Sequence, residues 1–247
     1  MSARIDGLSP AGQDLSDEAL LALYADGAGE QWLRVNFVAS VDGAVTRDGV
    51  SGDLGGAADL RVFDLLRRLA DVVLVAAGTV RTEGYGPMVL SDESVRARLG
   101  TGRAPQPVFA IVSGSLDLDP ASRIFTEAPV RPIVVTTGSS PARRRAELAE
   151  VADVLVCGDA ELDATRMRAQ LAKRGLGRIH CEGGPSLLGT LLAADAVDEL
   201  CLTVAATLEA GDSGRLARGD VPGPRPQHLA HVLSAGDTLL LRYLRRR

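Results

Sequence analysis

The stretch Ile179-His180-Cys181-Glu182-Gly183-Gly184-Pro185-Ser186-Leu187-Leu188 decides how this chain folds. Ile179 to Cys181 is a short run of buried-strand type, and Pro185 to Ala194 reads as a helix, with proline preset for its first turn. Two glycines stand between them. A strand that passes through Gly-Gly into a helix lets a ligand approach the backbone, because no Cβ intervenes. The helix start presents unpaired amides and the positive end of its dipole, which suits a phosphate or pyrophosphate. Glu182 adds a carboxylate at the mouth of the strand, where open α/β sheets bind ligands. The alternative is a strand-to-helix turn whose glycines serve packing alone.

The same alternation runs outward in both directions. Leu33 to Ser40, Val72 to Ala76, Val108 to Val112, Pro132 to Thr136, Val154 to Cys157 and Leu200 to Ala205 read as strands. Helices are expected over Asp17 to Asp26, Gly56 to Ala70, the segment from Ser140-Pro141 through Ala149, and Asp163 to Arg174. In the Gly56 helix the apolar stripe is Leu60, Phe63, Leu66 and Leu69 or Ala70. The chain ends differently: Leu229 to Leu233 and Thr238 to Leu244 flank Ala235-Gly236-Asp237, a hairpin signal. This predicts an α/β fold, a mostly parallel sheet with helices on both faces and an antiparallel finish. Residues 1–32 are expected to be an extension with one helix, packed on the outside of a single domain over 33–247.

Composition narrows the function. The 247 residues are 46% hydrophobic and 24% charged, an ordinary globular mixture. A net charge of -5 argues against nucleic-acid binding driven by phosphate neutralisation. The runs Arg143-Arg144-Arg145 and Arg245-Arg246-Arg247 read as solvated faces. Cys157, Cys181 and Cys201 lie far apart without a CxxC pair, and His228 and His231 have no carboxylate to complete a metal site, so no metal is expected. No signal-peptide pattern opens the chain and no run spans a membrane, so a cytoplasmic location is expected.

Three further segments follow strands and carry polar groups. In Asn36-Phe37-Val38-Ala39-Ser40-Val41-Asp42-Gly43, alternation places Asn36, Val38 and Ser40 on one face, able to line a pocket, while Asp42-Gly43 reads as a plain turn. In Ala77-Gly78-Thr79-Val80-Arg81, amides, a hydroxyl and a guanidinium can hold a phosphate; the alternative is a helix cap with a surface arginine. Val112-Ser113-Gly114-Ser115 is a small polar segment that alone signals only a turn.

Taken in order, these segments resemble one family, the C-terminal reductase domain of bifunctional riboflavin-biosynthesis deaminase-reductases and its free-standing relatives, which have the dihydrofolate-reductase-like fold. Ser40-Val41-Asp42-Gly43 resembles the family's S-x-D-G, and Val73 to Arg81 its vlvGagTvr. Glu182 to Leu188 resembles its E-G-G-x-x-L, and Val197-Asp198-Glu199-Leu200 its vDEl. Glu83-Gly84-Tyr85-Gly86-Pro87 is most similar to single-domain actinobacterial members. No zinc-deaminase signature is present, so the deaminase half is missing.

The resemblance implies NADPH. It implies that Gly78, Thr79 and Arg81 contact cofactor phosphates, that Gly183, Gly184, Pro185, Ser186, Leu187 and Leu188 cradle the pyrophosphate, that Ser113 lies near the adenosine 2′-phosphate, and that Val38 lies near the nicotinamide. The implied reaction opens a ribosylamino-pyrimidine sugar to its ribityl form by hydride transfer. Glu182 and Asp59 are the candidate catalytic residues, and Asn36, Ser40 and Glu83 the candidate substrate contacts. Asn36 stands where many bifunctional members carry lysine, and Glu83-Gly84 where they carry Asp-Pro, so a related substrate such as a pterin remains open. Dihydrofolate reductases hold the pteridine with a carboxylate on the helix corresponding to that of Asp59; otherwise Asp59 is a solvated first-turn residue. A dihydrofolate or pterin reductase proper, and a non-catalytic NADPH-binding regulatory module, are the competing readings. A homodimer is expected, through an apolar edge formed by Leu200 to Ala205 and the terminal hairpin; otherwise the helix from Asp17 to Asp26 covers that edge.

Overall fold

The computed structural model describes residues 4–246. Met1 to Ala3 of the N-terminal extension and Arg247 of the terminal basic run lie outside the described residues. In chain order the strands are β1 (Asp6–Ser9), β2 (Ala11–Gly12), β3 (Trp32–Ser40), β4 (Val72–Ala76), β5 (Val108–Val112), β6 (Ile133–Thr136), β7 (Asp153–Val156), β8 (Arg178–Cys181), β9 (Glu199–Ala205), β10 (Gln227–Ala235) and β11 (Thr238–Arg245). The helices are α1 (Asp17–Ala25), α2 (Gly52–Leu69), α3 (Ala77–Thr82), α4 (Asp92–Gly100), α5 (Arg123–Thr126), α6 (Ala142–Ala149), α7 (Ala164–Ala172) and α8 (Pro185–Ala193).

All strands form one sheet, in the order β2-β1-β10-β11-β9-β3-β8-β4-β5-β6-β7. From β9 to β7 the neighbours are parallel, and β11, β10, β1 and β2 continue the sheet antiparallel. The chain fills β4 to β7 outward to one edge. It then returns through α7 to insert β8 between β3 and β4, and crosses through α8 to β9 on the far side of β3. The carboxyl end of β8 therefore lies where the strand order reverses, the place at which a doubly wound sheet opens a crevice.

Alternation along the strands sorts two faces. Leu33, Val35, Leu74, Ile179 and Cys181 pack with Met167 of α7 and with Leu187, Leu188 and Leu191 of α8. On the other face, Val73, Val75, Phe109 and Val134 pack with Val80, Ile124, Phe125 and Leu148, while Cys201, Leu233 and Leu240 pack with α1 and α2. Burying a leucine or phenylalanine side chain in such layers stabilises by about 1.5–3 kcal/mol each.

Several expectations need correction. The extension contributes β1, which pairs along β10, followed by the two-residue β2. The hairpin edge is thus covered by residues 6–12 and not by α1. Asp6 to Ser9 carries no apolar alternation and joins through its backbone, so hydrophobic periodicity could not reveal it. A short helical turn from Gly52 precedes the expected helix, and Gly56, at φ 70°, breaks the two apart so that the longer helix starts where expected. Asp59 lies in the first turn after that break, as expected, but it is buried and not solvated. Leu60 leaves the expected core stripe and is 59% exposed, whereas Ala58, Val62, Leu65 and Leu66 face the sheet. Ser140 does not cap α6; its hydroxyl donates to the Thr137 carbonyl, and Pro141 holds the cap position.

A buried ionic cluster ties α1 to the sheet. Glu199 accepts from Arg34 Nε at 2.6 Å, Arg242 Nε at 2.9 Å and Trp32 Nε1 at 2.6 Å. The same guanidiniums reach back to the carbonyls of Leu23, Tyr24 and Asp26 at the carboxyl end of α1, whose dipole favours cations. Burial raises the Glu199 carboxyl, but Arg34 and Arg242 outweigh it and bring it down to about 2.

Candidate active site

The crevice at the end of β8 is a cleft of about 390 Å³. Its walls are Asn36 and Val38 of β3, Asp59, Phe63 and Arg67 of α2, the 45–52 loop, and the turn from Glu182 to Pro185. Strand alternation puts Asn36, Val38, His180 and Glu182 on the face that α2 covers. Asp59, Phe63 and Arg67 recur every fourth residue, so one side of α2 supplies all three.

Glu182 is the centre of the cleft. Arg67 binds it with two parallel bonds, Nε to Oε1 at 2.6 Å and Nη2 to Oε2 at 2.8 Å, and the Tyr85 hydroxyl donates to Oε2 at 2.9 Å. Burial and then the Glu182 charge push the Tyr85 phenol up, so it stays a donor. Arg67 lies over the Phe63 ring, 4.3 Å from its centroid, and Tyr85 stacks on Phe109. The carboxylate is thus fixed in position by an arginine fork and two aromatic shelves.

Asp59 faces the same space from further along α2. Thr203 of β9 donates to its Oδ1 at 2.5 Å, and burial raises the carboxyl above its ordinary range despite that bond. Gly55 makes this position possible: a Cβ there would stand 2.1 Å from Asp59 Oδ2.

Gly183 and Gly184 open the path from the cleft to the head of α8. Gly183 has φ 103°, a conformation that favours glycine, and a Cβ on Gly184 would meet Thr79 Oγ1 at 2.5 Å. Gly184 is the N-cap of α8 without a side-chain cap bond, and Pro185 follows. The Leu188 amide bonds back to the Gly184 carbonyl. The amides of Ser186 and Leu187 head the helix, where its geometry leaves donors without intrahelical acceptors. Leu187 and Leu188 have their side chains in the core, so only their backbone is available to a ligand. Beyond this turn lies a second opening of about 850 Å³, lined by Ser113, Gly114, Thr137, Thr190 and Arg218.

Other candidates sit differently. Ser40 does not line the cleft: its Oγ accepts from the Ala44 amide at 2.9 Å and donates to Asp42, so it builds the turn after β3. Glu83 lines the cleft but accepts from the Ser51 amide and hydroxyl at 2.8 and 2.9 Å, latching the loop before α2 onto α3. Gly78 is exposed at the start of α3, and Arg81 is half-exposed with its guanidinium on the Asp117 carbonyl at 2.8 Å. Ser113 Oγ accepts from the Leu116 amide at 3.0 Å. Arg67 is a further residue of the site, and its four-residue spacing from Phe63 and Asp59 is the only sequence signal that places it there.

A parallel sheet with a ligand crevice at its switch point, a glycine turn into a helix head and an adjacent second opening defines an α/β protein built for a dinucleotide beside a second ligand. The sequence matches the RibD C-terminal domain over residues 31–236, and the chain belongs to that family. Among its relatives is the 2,5-diamino-6-ribosylamino-4(3H)-pyrimidinone 5′-phosphate reductase of Archaeoglobus fulgidus, 28% identical over 167 residues, covering 67% of this chain and 76% of that one. The enzyme of the same name from Methanothermobacter thermautotrophicus is 28% identical over 220 residues, 85% of this chain and 95% of that one. The crystal structure of a pyrimidine reductase-like protein from Corynebacterium diphtheriae superposes with a TM-score of 0.84 at 28% identity, over 94% of this chain and all of that one.

Proposed function

We propose that this chain is an NADPH-dependent reductase that converts a ribosylamino-pyrimidine phosphate to its ribityl form. The observation that carries the reading is the placement of Glu182. Its carboxylate is fixed by Arg67 and Tyr85 and lies next to the Gly183-Gly184 turn, so a group held at the turn and a group held by the side chains that the carboxylate orients meet in one cleft.

The residues fit the cofactor. With no Cβ on Gly184, the Thr79 hydroxyl packs directly against the turn, and the amides at the head of α8 face a pyrophosphate beside it. Thr79 adds a hydroxyl beside the same turn. Ser113 and Arg218 line the adjacent opening, which suits the adenosine end. When bound, NADPH supplies the hydride. The chain does the rest: Val38 and Asn36 form the wall against which the reacting ring and sugar lie, and α2 shuts out water from one side. Glu182, itself fully buried, holds Arg67 and the Tyr85 ring in a fixed orientation at the cleft wall, where they meet the substrate. Asp59, with one oxygen held by Thr203 and its proton affinity raised by burial, is the group placed to take up a proton and pass it on as the sugar ring oxygen becomes a hydroxyl.

The decisive experiment is NADPH oxidation with the ribosylamino-pyrimidine phosphate and dihydrofolate offered side by side. Turnover of the pyrimidine, with Glu182→Gln and Asp59→Asn each lowering kcat, is expected. Turnover of dihydrofolate alone would reassign the enzyme to pterins, and cofactor binding without turnover of either would make it a non-catalytic module. NADPH is expected to bind more tightly than NADH; equal affinities would refute the 2′-phosphate assignment to Ser113.

We further propose a cytoplasmic homodimer, formed through a sheet face and not a sheet edge. Leu200, Leu202 and Val204 of β9 and Leu239, Leu241 and Tyr243 of β11 are half-buried on the side opposite α1 and α2. Aligned apolar side chains on an uncovered sheet face favour a symmetric partner.

A further inference from the structure

At the opposite ends of the same strands lies a second, smaller cavity of about 60 Å³. Trp32 and Arg34 of β3, Arg178 and His180 of β8, Arg103 and the end of α2 line it. It opens at the amino ends of β3 and β8, away from the cleft at their carboxyl ends.

Its charge is unbalanced. Arg103 pairs with Asp71 at 3.3 Å, and Arg34 shares Glu199 with Arg242. Arg178 has no ion-pair partner among the described residues; its Nε reaches only the Gly29 carbonyl, at 3.4 Å. Arg98, behind Arg103, is buried and donates to the carbonyls of Arg67, Arg68, Ala70 and Ala104, with no carboxylate in direct ion-pair contact among the described residues. Burial, and then the Arg103 charge, lowers Arg98 to about 10. Three guanidiniums, Arg34, Arg103 and Arg178, thus line the cavity against the two carboxylates Glu199 and Asp71, and Glu182, beyond His180, is matched by Arg67. The acids on the adjoining connection, Asp26 and Glu30, are exposed.

His180 is the second observation. It is 1% exposed, and neither ring nitrogen has a hydrogen-bond partner. Its Nε2 stands 3.5 Å from Glu182 Oε1, an electrostatic contact without a hydrogen bond, and its ring meets Phe63 edge-on. A buried imidazole without partners is costly unless something in the cavity satisfies it. Water alone would serve the imidazole but leave the arginine charge uncompensated.

We propose that this cavity is a binding site for a small free oxyanion of phosphate or sulfate size, held by Arg178 and Arg103 and hydrogen-bonded by His180. A space of about 60 Å³ accommodates the ion itself and not a nucleotide or sugar phosphate behind it. The site is separate from the pyrophosphate cradle, and His180 stands between it and Glu182.

The chain has three histidines, so its imidazole resonances can be assigned with His180→Gln and followed by NMR. Inorganic phosphate, and in a parallel series sulfate, is titrated into protein saturated with NADPH, which keeps the ions out of the cofactor cradle. A saturable shift of the His180 resonance is expected. In Arg178→Gln the apparent affinity should fall about tenfold, the loss of one charge-assisted hydrogen bond. Absence of a saturable shift in the parent protein, or an unchanged affinity in Arg178→Gln, overturns the proposal. So does a shift seen without NADPH and abolished by it, which would place the anion in the cleft.

Discussion

Arg67 grips Glu182 through two parallel hydrogen bonds of 2.6 and 2.8 Å, and the carboxylate side chain is fully buried. Removing the fork leaves a buried charge without its partner, which typically costs about 3–5 kcal/mol. Arg67→Gln is therefore expected to lower the melting temperature and, in the folded fraction, to reduce kcat/KM by about 100-fold through misplacement of the carboxylate. Arg67→Lys keeps the charge but not the planar fork and should fall between the two. Parent-like kinetics in folded Arg67→Gln would remove Glu182 from the reaction.

Gly184 and Thr79 share one small space, since a Cβ on the glycine would lie 2.5 Å from the threonine hydroxyl. Gly184→Val should weaken NADPH binding at least tenfold, because its side chain displaces either Thr79 or the pyrophosphate. The pair Gly184→Ala with Thr79→Ala separates these causes. Removing the hydroxyl relieves the internal contact and leaves the cradle filled, so affinity in the double variant should stay below that of Thr79→Ala alone. Full recovery would show that the helix head, and not the glycine surface, was disturbed. Calorimetry with NADPH decides.

Two buried histidines make stability depend on pH. Burial lowers both His180 and His231 to about 4, against an ordinary value near 6.5. Between those values the unfolded chain binds more protons than the folded one, so stability falls as pH drops from about 6.5 to about 4. Glu199, held near 2 by Arg34 and Arg242, adds a further loss once pH falls below about 4.5. Denaturant midpoints across this range should decline steadily, and His180→Gln, where it folds, should flatten the upper part of the curve. A flat profile between pH 6.5 and 4 would contradict the burial of both rings.

The parallel strands and the Gly-Gly turn are legible because each leaves a local pattern. Val72 to Ala76 is continuously apolar, as a strand covered on both faces must be, and Gly183-Gly184 interrupts strand and helix within a few residues. β1 left no such trace, because Asp6 to Ser9 joins the sheet through backbone bonds to β10 and not through its side chains. The roles of Ser40 and Glu83 were hidden for another reason. Both lie beside the cleft in sequence, yet Ser40 turns to the Ala44 amide and Glu83 to Ser51, partners that only the folded loops bring near. The Arg67–Glu182 pair joins residues 115 apart in sequence, and no local pattern announces that α2 crosses the end of β8.

The uncovered sheet face gives the last test. Leu241 of β11 stands directly across from Leu202 of β9, and Leu239 from Val204, on the side that neither α1 nor α2 reaches. Val232 of β10 continues the row across from Leu241. If two copies pack these rows together, a charge placed at their centre must be buried unpaired in the dimer but remains solvated in the monomer. Leu202→Arg should therefore give a folded monomer with the chain's own mass of 25.8 kDa in light scattering, while the parent protein gives twice that mass at micromolar concentration. A parent protein already at 25.8 kDa would dispose of the dimer. A dimer that survives both Leu202→Arg and Leu241→Arg would move the interface elsewhere. The edge is no substitute, because β1 already occupies the free side of β10 and β2 offers only two residues for pairing.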